Sequence, residues 1–294
     1  MSYLPEGVKA ENLLNNIRII GQKVSHLLNS YSQSNLNLNE FREKLDIKKS
    51  KNDIVTEADL KVNEVIKSSL ENNYLNVKWD FLSEEDFKVR KMNNFNSDWV
   101  WIIDPLDGTR DFVSRSGEYA SHIALAYKKK IILASVIVPS KEQLWFFTEQ
   151  KGTWCEDLLN HKLQFFRKLY LQEKEMTITK SRSHSNQELE DLLVKLKPKK
   201  VIGMGSVGYK ITSILRGEAD LYISYSLPGK TSPRDWDMAA PEAILRGLGG
   251  YLTDINGRRL EFLEDDFSQE GIIIGSVNPN HFDICKTIRE LQKL

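Results

Sequence analysis

The chain has 294 residues, of which 40% are hydrophobic and 28% charged, and its 41 Lys and Arg side chains balance 41 Asp and Glu side chains. This length corresponds to about two domains or one large one, and the composition is ordinary for a soluble globular protein. The formal charge of zero gives no support for a broad electrostatic grip on nucleic acid or anionic lipid.

The apolar segments and the cysteines bear on the cellular compartment. The longest strongly apolar run, residues 131–138, is far shorter than the roughly 20 residues that cross a bilayer. The first residues include Pro5 and Glu6 and lack the apolar core of a secretion signal. Cys155 and Cys285 lie outside any CxxC or zinc-like spacing. We therefore expect a soluble cytoplasmic protein with two reduced, structural thiols.

The N-terminal half begins with helical patterns and continues with strands. Apolar residues at intervals of three and four predict an amphipathic helix over residues 8–31, followed by an Asn/Ser-rich loop over residues 29–39. Thr56 and Asp59 have the spacing of a capping box and predict the start of a second helix. Strands are predicted at residues 77–81 and 99–103, and further strands with short connections at residues 122–127, 131–138 and 143–147 predict an antiparallel meander.

The C-terminal half alternates strands with helices. A charged, weakly periodic segment at residues 151–174 marks the expected junction between an N-terminal subdomain, residues 1–165, and a C-terminal subdomain, residues 166–294. The alternation predicts a layered α/β unit after this junction. Its predicted strands are residues 176–180, 201–204 and 219–224, with short strands near Tyr251 and Ile272, and its predicted helices are residues 186–196, 209–216 and 237–246.

The segment Asp104-Pro-Leu-Asp107-Gly-Thr109 directly follows a buried strand. Pro105 favours an extended Asp104 and Gly108 permits a sharp turn, so the two carboxylates are expected to point at one locus. Two carboxylates about 4 Å apart repel by roughly 4 kcal/mol at an effective dielectric of 20, and a divalent cation reverses the sign. The alternative is an Asp-Pro turn whose side chains only accept bonds from backbone amides.

Three further acids accompany this pair: Asp59, Glu84 and Asp237. Each has a simple alternative interpretation, because Asp59 also fits a helix cap, Glu84 a solvated acidic run, and Asp237 a partner of a helix dipole. A set of oxygen ligands without Cys or His is the set that Mg²⁺ prefers over zinc or copper. The combination predicts a magnesium site.

These segments resemble, in order and spacing, the signature of the inositol monophosphatase-like superfamily of Mg²⁺-dependent, lithium-sensitive phosphatases. The matching segments are residues 53–59, 83–85, 104–109 and 236–240. The resemblance implies an α+β and α/β fold, a layered αβαβα sandwich with two subdomains and the active site between them. Ser83 departs from the pattern, because relatives usually have Gly there.

The resemblance also implies roles for individual residues. Asp59 and Thr109 are the expected catalytic pair, which positions a water molecule and accepts its proton during in-line attack on phosphorus. No covalent phosphoenzyme is expected. Two or three Mg²⁺ ions are expected to be bound by Glu84, Asp104, the backbone carbonyl of Leu106, Asp107 and Asp237.

The segments Arg110-Asp-Phe, Ser181-Arg-Ser-His184 and Gly205-Ser-Val-Gly-Tyr-Lys210 look like the 3′(2′),5′-bisphosphate nucleotidase branch of this superfamily. This resemblance implies hydrolysis of 3′-phosphoadenosine 5′-phosphate to AMP and phosphate, a reaction of sulfur metabolism. Lys210 is expected to bind the phosphate that is not cut, and Ser181 and His184 the ribose or base. The expected substrate contacts are Gly108, Thr109, Ser181, His184, Ser206, Lys210 and Asp237.

Two other functions stay open at this point. One is an inositol monophosphatase or another sugar phosphatase, and the other is a catalytically silent sensor of the same nucleotide. The run Gly203-Met-Gly-Ser-Val-Gly208 also matches a dinucleotide-binding fingerprint, but the acidic residue expected about 20 positions later is absent. We interpret these glycines as a turn that admits a phosphate or a sugar. Ser121 and His122 face opposite sides of a strand and are not a nucleophile pair.

Overall fold

The computed structural model describes residues 3–32, 37–49, 54–90, 94–165 and 175–292. Two β-sheets alternate with three layers of helices, so the predicted αβαβα sandwich is confirmed. Three hydrophobic clusters join the successive layers. Asp53, part of the first matching segment, lies outside the described residues.

The larger sheet has seven strands, which follow one another in chain order. The first two strands are parallel and all later neighbours are antiparallel, which confirms the predicted meander. The strands are β3 (Asp80–Ser83), β4 (Trp99–Asp107), β5 (Ala120–Tyr127), β6 (Lys130–Val138), β7 (Gln143–Thr148), β8 (Gly152–Asp157) and β9 (Lys162–Leu163), and β1 (Lys48–Lys49) and β2 (Ile54–Val55) form a separate antiparallel pair. β3 lies later than the predicted residues 77–81, so Glu84 follows it directly.

Two long helices cover the outer face of this sheet: α1 (Ala10–Ser32) and α3 (Glu57–Asn73). Their buried apolar residues recur every three or four positions, which is why these segments form amphipathic helices. The predicted loop over residues 29–39 is wrong at both ends. α1 continues to Ser32, and a short helix, α2 (Leu38–Lys44), begins with an Asn37 capping box and buries Phe41.

The smaller sheet has five strands in the order β11-β10-β12-β14-β13. β10 is parallel to β11 and β12, whereas β14 is antiparallel to β12 and β13, so the sheet is mixed. These strands are β10 (Thr177–Ser181), β11 (Lys200–Met204), β12 (Leu221–Ser226), β13 (Tyr251–Asp254) and β14 (Gly271–Ser276). Its outer face packs against α6 (Gln187–Leu196) and α9 (His281–Gln292), of which α9 was not predicted.

Two helices fill the central layer: α7 (Val207–Leu215) and α8 (Asp235–Arg246). Both pack between the sheets, and every residue of α7 is buried. They begin two residues before the predicted starts. This layer contacts both sheets, so the division into subdomains at residue 165 stays a prediction. Strands β8 and β9 also continue the first sheet into the segment that was predicted to be the junction.

No helix in the described ranges combines the length and the apolarity that a membrane crossing requires.

The glycine-rich turn between β11 and α7 is closely packed. A Cβ atom on Gly205 would lie 2.3 Å from the carbonyl oxygen of Glu118 and 2.4 Å from Cγ of Asp111. A Cβ atom on Gly208 would lie 2.2 Å from Nε2 of His122. The space beside these two glycines therefore holds the protein's own atoms, and the expected opening for a phosphate or sugar is not found there.

We expect Gly208→Ala to lower the free energy of unfolding by about 1–3 kcal/mol, because an added methyl group must displace the buried His122 ring. Gly203→Ala is the matched control, since its Cβ would meet ordinary contacts at 3.5 Å. Urea unfolding of both variants in EDTA measures the difference. Equal effects of the two substitutions would contradict the packing role of Gly208.

Candidate active site

A local irregularity of β4 places Asp104 and Asp107 together. Residues three apart on a regular strand face opposite sides of the sheet. Here Asp104 pairs with His122 and Asp107 pairs with Ala120, so β4 carries one extra residue between the two pairs. Such a bulge returns both carboxylates to one face of the sheet. The predicted convergence of these two side chains therefore depends on the pairing of β4 with β5.

The two carboxylates have different surroundings. Asp104 is fully buried, and its Oδ1 accepts a hydrogen bond from the Leu106 N–H at 3.0 Å. Its Oδ2 is buried and has no hydrogen-bond partner among the described residues. Oδ2 of Asp107 accepts bonds from Ser206 Oγ at 2.6 Å and from Gly208 N at 3.1 Å.

Glu84 and Asp237 bring negative charge from two other elements. Glu84 begins the short helix α4 (Glu84–Arg90) directly after β3, and Asp237 lies in the first turn of α8. Burial, and then the charges of Glu84, Asp107 and Asp237, raise the pKa of Asp104 well above its usual range. Burial, and then Asp107 and Glu84, likewise raise the pKa of Asp237. Four predicted metal-binding carboxylates are thus neighbours.

Asp59 both caps α3 and reaches the acidic cluster. Its Oδ2 accepts bonds from Thr56 N at 2.7 Å and Thr56 Oγ1 at 2.6 Å, and its Oδ1 accepts from Thr109 Oγ1 at 3.0 Å. Thr109 Oγ1 also lies 3.1 Å from the Leu106 carbonyl oxygen. Burial raises the pKa of Asp59 to about 6. The expected pair of Asp59 and Thr109 is in direct contact, and helix capping alone does not account for Asp59.

These residues fit a hard divalent cation. Buried carboxylates repel one another unless positive charge lies between them. The unpartnered Oδ2 of Asp104 is a ligand atom without a protein donor, and oxygen atoms of this kind are what Mg²⁺ binds. Glu84, Asp104, Asp107, Asp237 and the Leu106 carbonyl are the groups placed to hold such an ion.

His122 is a member of the site that no sequence motif indicated. Its ring is fully buried, with Nδ1 3.1 Å from the Trp236 carbonyl oxygen and Nε2 3.3 Å from Oδ2 of Asp107. One ligand atom each from Asp104, Asp107 and His122 lies within 4.8 Å of the others. Only the strand register, which sets His122 opposite Asp104, reveals this position.

Two of the expected substrate contacts are enclosed by protein. Ser206 is 1% exposed, and its hydroxyl donates to Asp107 and accepts from the Tyr209 N–H. Lys210 is 2% exposed, and its ammonium donates to the Gly205 carbonyl oxygen. Burial lowers the pKa of Lys210 to about 8. Both residues therefore support the acidic cluster from inside the protein, and their contact with substrate stays a prediction.

The other expected contacts lie at accessible positions. Gly108 has a φ of +86° and precedes α5 (Thr109–Val113). Ser181 ends β10, and its Oγ accepts a hydrogen bond from the backbone N–H of His184, whose side chain is exposed. This loop reaches α5, because Arg182 donates to Asp111 and Glu118. Neither Asp111 nor Glu118 was a predicted site residue.

We expect Mg²⁺ binding to release protons and to strengthen as pH rises from 5.5 to 8. The pKa values of Asp104 and Asp237 are raised, so these carboxyls hold their protons to higher pH than free carboxyls do, and a proton held there must leave before a cation binds. Titration calorimetry at pH 6.5 in buffers of different ionisation enthalpy measures the release. Buffer-independent heats, or affinity that falls with pH, would contradict this assignment of the ligands.

Comparisons with known proteins identify the family of this chain. The model of the inositol monophosphatase family matches residues 11–293. The 3′(2′),5′-bisphosphate nucleotidase CysQ of Shigella flexneri is 31% identical over 221 residues, which cover 74% of this chain and 82% of the relative. The 3′(2′),5′-bisphosphate nucleotidase 1 of Homo sapiens is 28% identical over 213 residues, 72% of this chain and 67% of the relative.

Solved structures show the same fold. The suppressor protein SuhB of Bartonella henselae superposes with a TM-score of 0.73 and 20% identity, covering 96% of this chain and 98% of that one. A staphylococcal inositol monophosphatase complexed with products gives a TM-score of 0.72 and 18% identity, with 96% of each chain covered. The chain described here belongs to the inositol monophosphatase family.

Proposed function

We propose that this protein is a Mg²⁺-dependent phosphomonoesterase that hydrolyses 3′-phosphoadenosine 5′-phosphate to AMP and phosphate. The observation that carries the hydrolytic part is the convergence of Glu84, Asp104, Asp107 and Asp237, with one buried carboxylate oxygen left without a partner. The nucleotide part is supported by the similarity to the two nucleotidases. Lithium sensitivity, a place in sulfur metabolism and a cytoplasmic location accompany this proposal and stay predictions.

The acidic cluster supplies the metal site of the proposed reaction. Glu84, Asp104, Asp107, Asp237 and the Leu106 carbonyl would hold Mg²⁺. When bound, Mg²⁺ neutralises phosphate oxygens and makes water more acidic. Ser206 and Gly208 fix Oδ2 of Asp107, so the orientation of that carboxylate is set before any ion arrives.

Asp59 and Thr109 supply the proton transfer. The Thr109 hydroxyl orients the attacking water, and its hydrogen bond to Asp59 Oδ1 gives the proton a path to a carboxylate. Because burial raises the pKa of Asp59 to about 6, this group is ionised in most molecules at pH 7 yet basic enough to accept a proton. Two bonds from Thr56 hold the second oxygen of Asp59 and fix the direction of the first.

The substrate side of the proposal uses the accessible residues. Gly108 and Thr109 border the carboxylates, and Ser181 and His184 lie on the loop that reaches α5 through Arg182. We assign phosphate contact to the first pair and ribose or base contact to the second. Lys210 contributes positive charge beneath the site, near Asp107 and Asp237, and its contact with the phosphate that is not cut stays a prediction.

We expect phosphate release from 3′-phosphoadenosine 5′-phosphate to exceed release from inositol 1-phosphate at matched concentrations with Mg²⁺. Both are phosphomonoesters, so the comparison tests recognition of the nucleotide separately from the shared chemistry. A colorimetric phosphate assay measures both rates. Equal or faster turnover of inositol 1-phosphate would replace the nucleotidase proposal with an inositol monophosphatase.

The variant Asp104→Asn tests the metal assignment, because it keeps the shape of the side chain and removes its charge. We expect it to lower the rate more than about a hundredfold. Circular dichroism verifies that the variant is folded. A wild-type protein that binds the nucleotide without releasing phosphate would be a nucleotide sensor, and an active Asp104→Asn variant would contradict the metal assignment.

A further inference from the structure

Arg182 connects the C-terminal half of the chain to the loop that precedes β5. Its Nη1 donates to Oδ1 of Asp111, and its Nη2 donates to Oε2 of Glu118 at 2.5 Å and to the Gly203 carbonyl oxygen at 3.0 Å. Asp111 is 5% exposed, so one of its two acidic partners is almost enclosed. Bonds that join a guanidinium to two carboxylates are stronger and more directional than an exposed ion pair.

Glu118 in turn fixes the turn before α7. Its Oε2 accepts a second bond from the Gly205 N–H at 3.1 Å, and its carbonyl oxygen accepts from the Ser206 N–H at 3.0 Å. A Cβ atom on Gly205 has no room between Glu118 and Asp111. The position of this turn is therefore set by the residues that Arg182 binds.

The same turn holds Asp107. Ser206 Oγ and the Gly208 N–H both donate to its Oδ2. Three bonded steps, from Arg182 to Glu118, from Glu118 to the Gly205–Ser206 backbone, and from Ser206 to Asp107, lead from a side chain that is 44% exposed to a carboxylate in the acidic cluster.

We propose that Arg182 is a positioning residue that sets the orientation of Asp107 for Mg²⁺ through Glu118 and the turn before α7. The inference rests on the proposed function, since it takes Asp107 as a metal ligand. Direct binding of substrate phosphate by Arg182 is the less favoured role, because Asp111 and Glu118 outweigh its single positive charge. Outer partners of metal ligands change metal affinity by about 10–100-fold when they are removed.

Titration calorimetry of Mg²⁺ into metal-free protein tests the proposal without any substrate. We expect Arg182→Gln to weaken Mg²⁺ binding by about tenfold, and Arg182→Lys by a smaller factor, because one ammonium group does not span both carboxylates. The matched control is Glu264→Gln, which removes the exposed pair between Lys129 and Glu264 that also joins the two halves of the chain. It should leave Mg²⁺ affinity unchanged.

A second measurement examines the path. In a Ser206→Ala background, Arg182→Gln should cost less Mg²⁺ affinity than it does in the wild type, because the Ser206 hydroxyl no longer links the turn to Asp107 and only the Gly208 N–H remains. Additive losses would contradict the path.

The outcomes separate the possible roles of Arg182. Unchanged Mg²⁺ affinity in both Arg182 variants would overturn the proposal, whatever happens to the melting temperature, and a raised KM with normal Mg²⁺ affinity would show that Arg182 binds substrate. If Arg182→Gln does not fold, Arg182→Lys decides by the same criterion. Wild-type protein that binds no Mg²⁺ would instead refute the proposed function.

Discussion

The site depends on one constraint, the repulsion between the carboxylates that converge at the ends of β3 and β4 and at the start of α8. Each pair of such charges about 4 Å apart costs roughly 4 kcal/mol at an effective dielectric of 20. Individual donors relieve part of this cost, because backbone N–H groups of Leu106, Gly208 and Arg234 each bond to one of the acids. The remaining cost is offset when a divalent cation binds, which is the physical basis of the proposed Mg²⁺ site.

The fold brings these acids together through features on different elements. The parallel pairing of β3 with β4 sets Glu84 beside Asp104, and the bulge in β4 turns Asp107 to the same face. The central helical layer then delivers Asp237 from the other half of the chain. The close approach of α7 to β5, which Gly208 permits, brings the Ser206 hydroxyl to Asp107. The site therefore depends on both sheets being packed on the same helices.

The sequence predicts much of this arrangement, and the errors have physical reasons. Local patterns can be recognised from the sequence alone, and they include the motif from Asp104 to Thr109, the capping box at Thr56 and the meander. The place of His122 in the site follows from the register between β4 and β5, which the sequence does not show. The burial of Ser206 and Lys210 follows from packing between layers, which is also a tertiary effect. Composition alone indicated a loop where α2 forms, because the burial of Phe41 is a tertiary effect.

Unfolding free energies of the wild type and of Asp104→Asn, in EDTA and in saturating Mg²⁺, test the central claim most directly. The substitution keeps the bond from Leu106 and replaces a buried carboxylate oxygen, which no described donor binds, with a neutral donor beside Glu84. We predict that Asp104→Asn is more stable than the wild type by at least about 1 kcal/mol in EDTA, and less stable in Mg²⁺. A variant that is less stable than the wild type in EDTA would show that the acids are not held together against their own repulsion.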